Sequence, residues 1–305
     1  MDQFNVYKDM KARTNGEIYI GVVGPVRTGK STFIKRFMNL MVLPNIEDEN
    51  DRNRANDELP QSSSGKTIMT TEPKFVPNEA VSIKTEEGIE LNVRLIDCVG
   101  YMVEGATGHM EGEEERLVKT PWFDYEIPFT KAAAIGTKKV ITEHSTIGVV
   151  VTCDGSFGEI AAKQYEPAEE ETIKQLKALK KPFVVLLNTI HPYSESTKQL
   201  AAEKEEKYQT KVLPMNLEQM KKEDIYEIIK SVLMEFPISS IGFYVPRWTE
   251  MLKKDHPLKM ELLQMARDVI TEKTTMRDIY EEQEKEYEYI TCLLYTSPSP
   301  RDPKT

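Results

Sequence analysis

Cysteines and long hydrophobic runs are scarce in this sequence of 305 residues. The three cysteines, Cys98, Cys153 and Cys292, are odd in number and far apart, without the spacing of metal ligands. This distribution predicts reduced thiols in a cytosolic protein rather than a disulfide framework. No run approaches the roughly 18 apolar residues of a membrane-spanning helix, and the N-terminus lacks the apolar stretch of a secretory signal. We therefore expect any membrane contact to be peripheral or through a partner.

Positive charge is also in deficit. The chain has 40 Lys and Arg against 50 Asp and Glu, for a formal net charge of -10 and a pI of about 5.2. Broad binding to a nucleic-acid backbone needs clustered Lys and Arg, so we expect no nucleic-acid partner. One local basic pocket remains compatible with this charge. The length suits one large domain, or one domain with part of a second.

Apolar segments alternate with helical patterns along most of the chain. The patterns predict strands at residues 18–23, 79–85, 91–97, 147–152, 183–188 and 212–214, and helices at 29–41, 129–143, 167–180, 195–206 and 217–235. This alternation predicts an α/β fold with a mostly parallel sheet and helices on both faces. Residues 101–128 show no clear period, and long irregular insertions of this kind are often functional.

Changes in pattern suggest the domain boundaries. We expect an N-terminal segment at 1–16, a nucleotide-binding domain at 17–237, and the start of a second α/β or α+β domain at 238–291. The last residues, CLLYTSPSPRDPKT at 292–305, follow no periodicity and resemble translated adapter sequence. We expect this tail to be non-native and the natural protein to continue beyond Thr291.

The first predicted strand leads into a phosphate-binding signature. The segment Gly24-Pro-Val-Arg-Thr-Gly-Lys-Ser31 fits G-x-x-x-x-G-K-[ST], with a strand before it and a helix after it. Its main-chain amides and the helix N-terminus favour phosphate oxygens. The lysine reaches the β- and γ-phosphates, and the serine hydroxyl binds Mg²⁺. This motif predicts a P-loop NTPase in which the nucleotide is held by Gly24, Arg27, Thr28, Gly29, Lys30, Ser31 and Thr32.

Two further segments complete the predicted phosphate site. Asp97 ends a strand and forms D-x-x-G with Gly100, so its carboxylate is expected on the Mg²⁺ side and the Gly100 amide at the γ-phosphate. Switch-type hydrolases also use a threonine that binds Mg²⁺ and senses the γ-phosphate. Thr70 and Thr71 both fit that role, and the sequence does not choose between them.

Two positions differ from the usual pattern of this enzyme class. Arg27 lies where charge develops between the β- and γ-phosphates, and it could stabilise that charge from within the loop. Alternatively, Arg27 points to solvent or pairs with an acidic neighbour. Tyr101 follows Gly100, where many signalling GTPases carry a glutamine that orients water. We therefore expect slow intrinsic turnover, with assembly or a partner completing the site.

The base is predicted from the segment after the strand at 183–188. GTPases of this layout carry N-K-x-D there, and the Asp accepts hydrogen bonds from guanine. Here the segment reads Asn188-Thr-Ile-His191, so only the Asn remains. Guanine would be left with unpaired donors, at a real cost in free energy. We therefore predict adenine, with Asn188 near the cofactor. A GTPase-like signalling or ribosome-assembly switch is the alternative.

Several longer stretches carry a family resemblance. The sequence resembles the stage IV sporulation protein A family, ATPases that build the basement layer of the spore coat in endospore-forming bacteria. The matching stretches are Gly24 to Lys35, Asp57 to Gln61, Gly65 to Pro77, Asp97 to Tyr101 and Glu143 to Gly148.

This resemblance implies a fold related to translation-factor GTPases that has switched to ATP. It implies that hydrolysis drives irreversible polymerisation, with Lys30 as the phosphate lysine, Asp97 on the Mg²⁺ side, and Thr70 and Thr71 as sensors. The implied polymer coats the outer forespore membrane from the mother-cell cytoplasm. Its implied partners are further copies, a small amphipathic membrane-bound peptide and other coat proteins, mainly through C-terminal regions.

Overall fold

The computed structural model describes residues 16–60, 72–84, 90–106, 108–111, 114–158, 160–238, 241–243, 245 and 247–280. The strands in these ranges are β1 (Glu17–Val23), β2 (Lys74–Lys84), β3 (Glu90–Asp97), β4 (Met110–Glu111), β5 (Glu114–Glu115), β6 (Leu117–Thr120), β7 (Phe123–Pro128), β8 (Ile147–Cys153), β9 (Phe183–Asn188) and β10 (Val212–Met215). The α-helices are α1 (Lys30–Phe37), α2 (Glu49–Asp57), α3 (Phe129–Lys139), α4 (Ala162–Ala178), α5 (Glu195–Tyr208), α6 (Lys222–Met234), α7 (Pro257–Glu272) and α8 (Met276–Tyr280).

Six strands form one sheet in the order β10-β9-β8-β1-β3-β2. Every neighbouring pair is parallel except β2 and β3, which are antiparallel. The predicted mostly parallel α/β sheet is therefore confirmed. The long hydrophobic runs of β8 and β9 follow from this arrangement, because a central parallel strand is covered on both faces.

Two hydrophobic cores lie on opposite faces of the sheet. Side chains alternate between them along each strand, so that Val149 of β8 packs in one core and Val150 in the other. The first core contains α1 and α6, and the second contains α4, α5 and a π-helical turn at Val140–His144 that continues α3. Each fully buried aliphatic side chain contributes about 1.5–3 kcal/mol to stability.

Several element boundaries differ from the sequence-based expectations. Helix α4 begins at Ala162, five residues earlier than predicted. The prediction started the helix at Pro167, but this proline lies inside the helix, where it removes one main-chain hydrogen bond. The insertion at 101–128 is not irregular throughout, since it contains the hairpins β4–β5 and β6–β7. Their strands are two to six residues long. Strands this short show no readable period.

One edge strand of the sheet is interrupted and the other is short. Strand β2 pairs with β3 through Val76 and again from Val81, with a register shift in the segment between them, which contains Pro77. The opposite edge, β10, has only four residues. The predicted strand at 79–85 was thus the second half of a longer strand, because Pro77 and Asn78 break the pattern that the sequence shows.

The sheet topology has a switch point at the carboxyl end of β1, which lies between β3 and β8. The chain that leaves β1 runs through α1 to β2 and β3 on one side, and the chain that leaves β3 crosses to β8 on the other side. In open α/β sheets, ligands bind outside the carboxyl ends of strands at such a switch point. The loops that follow β1, β3, β8 and β9 all meet at this edge.

Residues beyond α6 continue into a smaller helical segment. Pro237 forms an isolated antiparallel bridge with Thr275, and the N–H of Ile238 donates to the carbonyl oxygen of Thr274 at 2.9 Å. The domain boundaries stay a prediction. In the part of the chain that the structure describes, no helix combines the length and apolarity needed to cross a bilayer.

Candidate functional site

The loop between β1 and α1 has a conformation that requires glycine at position 29. Gly29 has φ of 101° and directly precedes α1, whose first turn begins at Lys30. A Cβ atom at Gly29 would lie 2.7 Å from the Nδ2 atom of Asn188, a distance that real Cβ atoms do not show. The hydroxyl of Thr28 closes the loop by donating to the carbonyl oxygen of Pro25 at 3.0 Å. The loop therefore leads directly into a helix N-terminus, where anions bind.

Lys30 is a buried cation at the centre of this loop. Its residue is 5% exposed, and its ammonium group donates to the carbonyl oxygen of Gly24 at 3.4 Å and to that of Pro25. Burial lowers the pKa of Lys30, while the nearby Cys98 and Asp97 raise it. A buried ammonium group bonded to neutral carbonyls is electrostatically suited to an anionic ligand such as a phosphate.

Ser31 and Asp97 come together from α1 and β3. The hydroxyl of Ser31 donates to the Oδ2 atom of Asp97 at 3.4 Å. The Oδ1 atom of Asp97 is buried and has no hydrogen-bond partner among the described residues. Burial raises the pKa of Asp97 to about 6, although Lys30 and Ser31 act to lower it. An unpartnered carboxylate oxygen beside a hydroxyl offers the oxygen ligands that Mg²⁺ prefers.

The donors Ser31 and Asp97 fit Mg²⁺ better than a metal that is bound by protein side chains alone. The described ranges contain no group of three or more His, Cys, Asp and Glu that could hold a metal ion. Mg²⁺ commonly takes one or two protein ligands and keeps water and substrate phosphates for the rest. Ser31 and Asp97 could therefore hold it when a nucleotide is bound.

Gly100 lies directly against the phosphate-binding loop. It has φ of 95°, and a Cβ atom there would be 2.2 Å from the carbonyl oxygen of Gly24. The next residue, Tyr101, donates its N–H to the Gly24 carbonyl at 3.3 Å and accepts the N–H of Val26 at 2.9 Å. The Tyr101 hydroxyl donates to Gln175 on α4 at 2.7 Å. Sequence reasoning missed this bond, because Gln175 lies on a distant helix.

Asn188 supports the phosphate-binding loop from the end of β9. Its side-chain amide donates to the carbonyl oxygen of Thr28 at 3.1 Å, and its Oδ1 atom accepts the N–H of Leu217 at 3.3 Å. The amide is buried, with the residue 6% exposed. The sequence predicted Asn188 as a contact of the nucleotide, and it did not predict this bracing contact with the loop. Contact between Asn188 and a nucleotide base stays a prediction.

The loop after β9 is fixed by the loop after β8. The N–H of Ile190 donates to the hydroxyl of Ser156 at 3.1 Å, and the N–H of Ser156 donates to Asp154 at 2.9 Å. Ile190 is 44% exposed at this edge of the sheet. Sequence reasoning did not identify Ser156. The sequence signal that could have identified Ser156 is its position just after β8, a buried strand that ends at the same edge of the sheet as β1.

The remaining predicted residues are less well defined by contacts. Arg27 is exposed and has φ of 62°, in the left-handed region that few non-glycine residues adopt. Its charge faces Tyr165, whose pKa burial raises to about 12 while Arg27 acts to lower it. Thr32 lies half-buried in the first turn of α1. Thr70 and Thr71 lie outside the described residues.

Comparison with known proteins decides the family. Residues 1–237 match the family profile of the stage IV sporulation protein A ATPase domain, and residues 238–296 match its middle-domain profile. The chain belongs to the stage IV sporulation protein A family. The resemblance seen in the sequence is thereby confirmed. A match to an ATPase domain implies nucleotide binding.

Curated members of the family are similar along most of this chain. Stage IV sporulation protein A of Clostridioides difficile is 54% identical over 275 residues, covering 90% of this chain and 56% of that protein. The Bacillus anthracis and Bacillus subtilis proteins are each 48% identical, covering 95% and 92% of this chain and 59% and 57% of their own lengths. The chain thus spans a little over half the length of these relatives.

A solved structure was also compared. The crystal structure of an SsGBP and GDP complex aligns with a TM-score of 0.40 and 13% sequence identity, covering 71% of this chain and 49% of that chain.

Proposed function

We propose that this chain hydrolyses ATP, and that hydrolysis drives its self-assembly into a static polymer at the base of the bacterial spore coat. The match to the family's ATPase domain supports the first part. Membership of a sporulation protein family supports the second. The proposed location is the mother-cell cytoplasm at the forespore surface. The proposed partners are other copies, a small amphipathic membrane-bound peptide and coat proteins, without nucleic acid.

The observation that carries this proposal is the convergence of Lys30, Ser31 and Asp97 at one edge of the sheet. Lys30 is buried beneath the loop, and Ser31 and Asp97 are 3.4 Å apart at the ends of neighbouring elements. In P-loop NTPases these positions bind the phosphates and the metal. Ser31 and Asp97 would hold Mg²⁺, which when bound would neutralise charge on the phosphate oxygens.

The choice of ATP over GTP rests on the segment after β9. Asn188 is occupied by the bonds to Thr28 and Leu217, and no carboxylate follows it up to His191. A guanine base would leave its N1–H and amino group without that acceptor, and such losses discriminate strongly between bases. Adenine makes no such demand.

Three further residues have proposed roles at the γ-phosphate. Arg27 would stabilise the charge that develops during cleavage, as its place within the phosphate-binding loop suggests. Thr70 and Thr71 would sense the γ-phosphate, and either could bind Mg²⁺. Replacing both threonines with alanine should preserve nucleotide binding but slow hydrolysis and block assembly. A double variant that still polymerises with ATP would show that sensing lies elsewhere.

The test is phosphate release from the purified chain with Mg²⁺ and either ATP or GTP. Lys30→Ala is the inactive variant, and Lys174→Ala, an exposed lysine on α4, is the matched control. Release from ATP but not GTP, lost only in Lys30→Ala, is the expected result. Preference for GTP would favour the GTPase-like switch instead. Equal activity of Lys30→Ala and the parent would show that the phosphate-binding loop does not take part in hydrolysis.

Assembly is tested in the same samples by sedimentation and light scattering. We expect ATP, but not ADP, to convert the chain to a sedimenting polymer. A longer chain that includes the remaining part of the relatives' length should be compared. If hydrolysis occurs without assembly in both chains, the polymerisation half of the proposal fails while the ATPase half stands.

A further inference from the structure

The N–H of Gly100 is already held by a side chain outside the phosphate-binding loop. It donates to the Oγ1 atom of Thr137 on α3 at 3.2 Å. Thr137 is completely buried, and its hydroxyl donates in turn to the carbonyl oxygen of Ala133 at 2.8 Å. The Gly100 amide thus donates to a buried threonine. In the proposed function, the same amide donates to the γ-phosphate instead.

The orientation of Gly100 explains why the two acceptors compete. Its Cα atom faces the loop, since a Cβ there would lie 2.6 Å from the Nζ atom of Lys30. Its N–H donates instead to Thr137. With φ of 95°, Gly100 has a backbone conformation that favours glycine, and glycine has access to more φ values than any other residue, so a turn of this peptide toward Lys30 costs least at a glycine.

We propose that Thr137 is a positioning residue of the nucleotide site, which holds the Gly100 N–H until the γ-phosphate of ATP takes its place. The inference rests on the proposed function. A phosphate oxygen carries charge and forms a stronger hydrogen bond with an amide than a neutral hydroxyl does. A triphosphate therefore supplies the free energy to break the Gly100–Thr137 bond. A diphosphate does not, because it has no group at that position.

Helix α3 connects this exchange to the insertion that precedes it. Two hydrogen bonds join the N-terminus of α3 to the hairpins. The N–H of Thr130 donates to the Glu115 carboxylate at 3.1 Å. The N–H of Phe129 donates to the carbonyl oxygen of Arg116 at 2.9 Å. Near the other end of α3, the Nζ atom of Lys139 lies 5.8 Å from the ring centre of Trp122 at the hairpin turn. Release of Thr137 should therefore alter the surroundings of Trp122.

The test compares binding of a non-hydrolysable ATP analogue and of ADP by the whole chain, each with Mg²⁺, using calorimetry. Thr137→Val keeps the shape of the side chain but removes the acceptor, and Thr137→Ser keeps the hydroxyl. In Thr137→Val the bond no longer has to be broken. Its preference for the analogue over ADP should rise by about three- to tenfold, the equivalent of one net hydrogen bond. Thr137→Ser should keep the parent ratio.

A second measurement does not depend on folding of the valine variant. In a Trp248→Phe background, the fluorescence of Trp122 should change with the ATP analogue and stay unchanged with ADP. Trp248 is 54% exposed, so its replacement should not disturb the site.

The outcomes separate this inference from the function on which it rests. An unaltered ratio in Thr137→Val, an equal rise in Thr137→Ser, or identical Trp122 spectra with both nucleotides would overturn the role of Thr137 alone. Failure of the parent chain to bind either nucleotide would overturn the proposed function, and the role of Thr137 with it.

Discussion

The side-chain amide of Asn188 donates a hydrogen bond of 3.1 Å to the carbonyl oxygen of Thr28, 160 residues earlier in the chain. The same side chain accepts the N–H of Leu217 at 3.3 Å. One amide therefore joins the phosphate-binding loop to the loops that follow β9 and β10. Asn188, which we predicted to lie near the nucleotide, braces the phosphate-binding loop in this structure.

Asn188→Ala should lower the free energy of unfolding by about 2 kcal/mol, because it leaves two buried main-chain groups unpaired. Asn188→Asp should in addition weaken nucleotide binding, since its carboxylate would face the Thr28 carbonyl oxygen with no proton to donate and would displace the loop. Urea unfolding and calorimetry measure the two effects. The exposed Asn92→Ala on β3 is the control and should change neither. If Asn188→Ala behaves like Asn92→Ala, the brace has no energetic role.

Asp97→Asn should separate stability from activity. Burial of the carboxylate raises its pKa to about 6, so above that pH the charged form destabilises the nucleotide-free fold. The variant should therefore melt at a temperature equal to or above the parent's at pH 8 in EDTA. The difference should shrink as the pH falls through about 6, because the parent carboxyl then takes up its proton.

The same variant should lose Mg²⁺-dependent phosphate release by on the order of a hundredfold, as expected when a charge-stabilising group is removed. Asp57→Asn, exposed on α2, is the matched control and should leave both melting and activity unchanged. A marked fall in the melting temperature of Asp97→Asn at pH 8 would contradict the assignment of burial as the dominant influence on this group.

Arg27 combines an unfavourable backbone conformation with a proposed role in turnover. Arg27→Gly removes a left-handed non-glycine residue and should stabilise the fold by about 1 kcal/mol. It should also lower kcat for ATP at least about tenfold while changing KM little, whereas Arg27→Lys should retain more of the rate. Thermal melting and steady-state kinetics make the comparison. Full turnover by Arg27→Gly would leave this arginine without a catalytic role.

The ion pair between Lys204 on α5 and Glu169 on α4 is buried, with a distance of 2.7 Å and 0% exposure of the glutamate side chain. Lys204→Met should cost about 3–5 kcal/mol, because it leaves a buried carboxylate without its charged partner. Adding Glu169→Leu should recover part of that loss, since it also removes the acceptor of the buried Thr152 hydroxyl. Denaturant unfolding measures all three proteins.

The adjacent pair Lys207–Glu170 provides the control, since both side chains are about half exposed, at 48% and 51%. Lys207→Met should change stability by less than about 1 kcal/mol. Equal effects of Lys204→Met and Lys207→Met would mean that burial does not determine the strength of these pairs.

The sheet and the phosphate loop were predictable because both depend on short stretches of sequence. The hydrophobic runs of β1, β8 and β9 and the glycine pattern before Lys30 each lie within a few residues. The start of β2 and the hairpins of the insertion were not predictable. Pro77 interrupts the first, and the others have strands too short to show alternation.

Contacts between distant residues limited the prediction of the site. Gly100 was expected at the γ-phosphate from its motif, but its bond to Thr137 spans 37 residues and joins a loop to a helix. The bond between Tyr101 and Gln175 spans 74. Neither partner has a sequence signature of its own, because a buried threonine or a helical glutamine is ordinary in any amphipathic helix. Only the packing of α3 and α4 on the sheet brings these side chains to the site.

The broken edge of the sheet bears on how copies of this chain could join. Strand β2 changes register after Val76, and Pro77 has no N–H to offer a neighbouring strand, while β10 at the other edge is only four residues long. Interrupted and short edges resist the addition of foreign strands, which is the usual route to amyloid-like aggregation. The proposed self-assembly of this chain would therefore use contacts between side-chain surfaces rather than the addition of strands at the sheet edges.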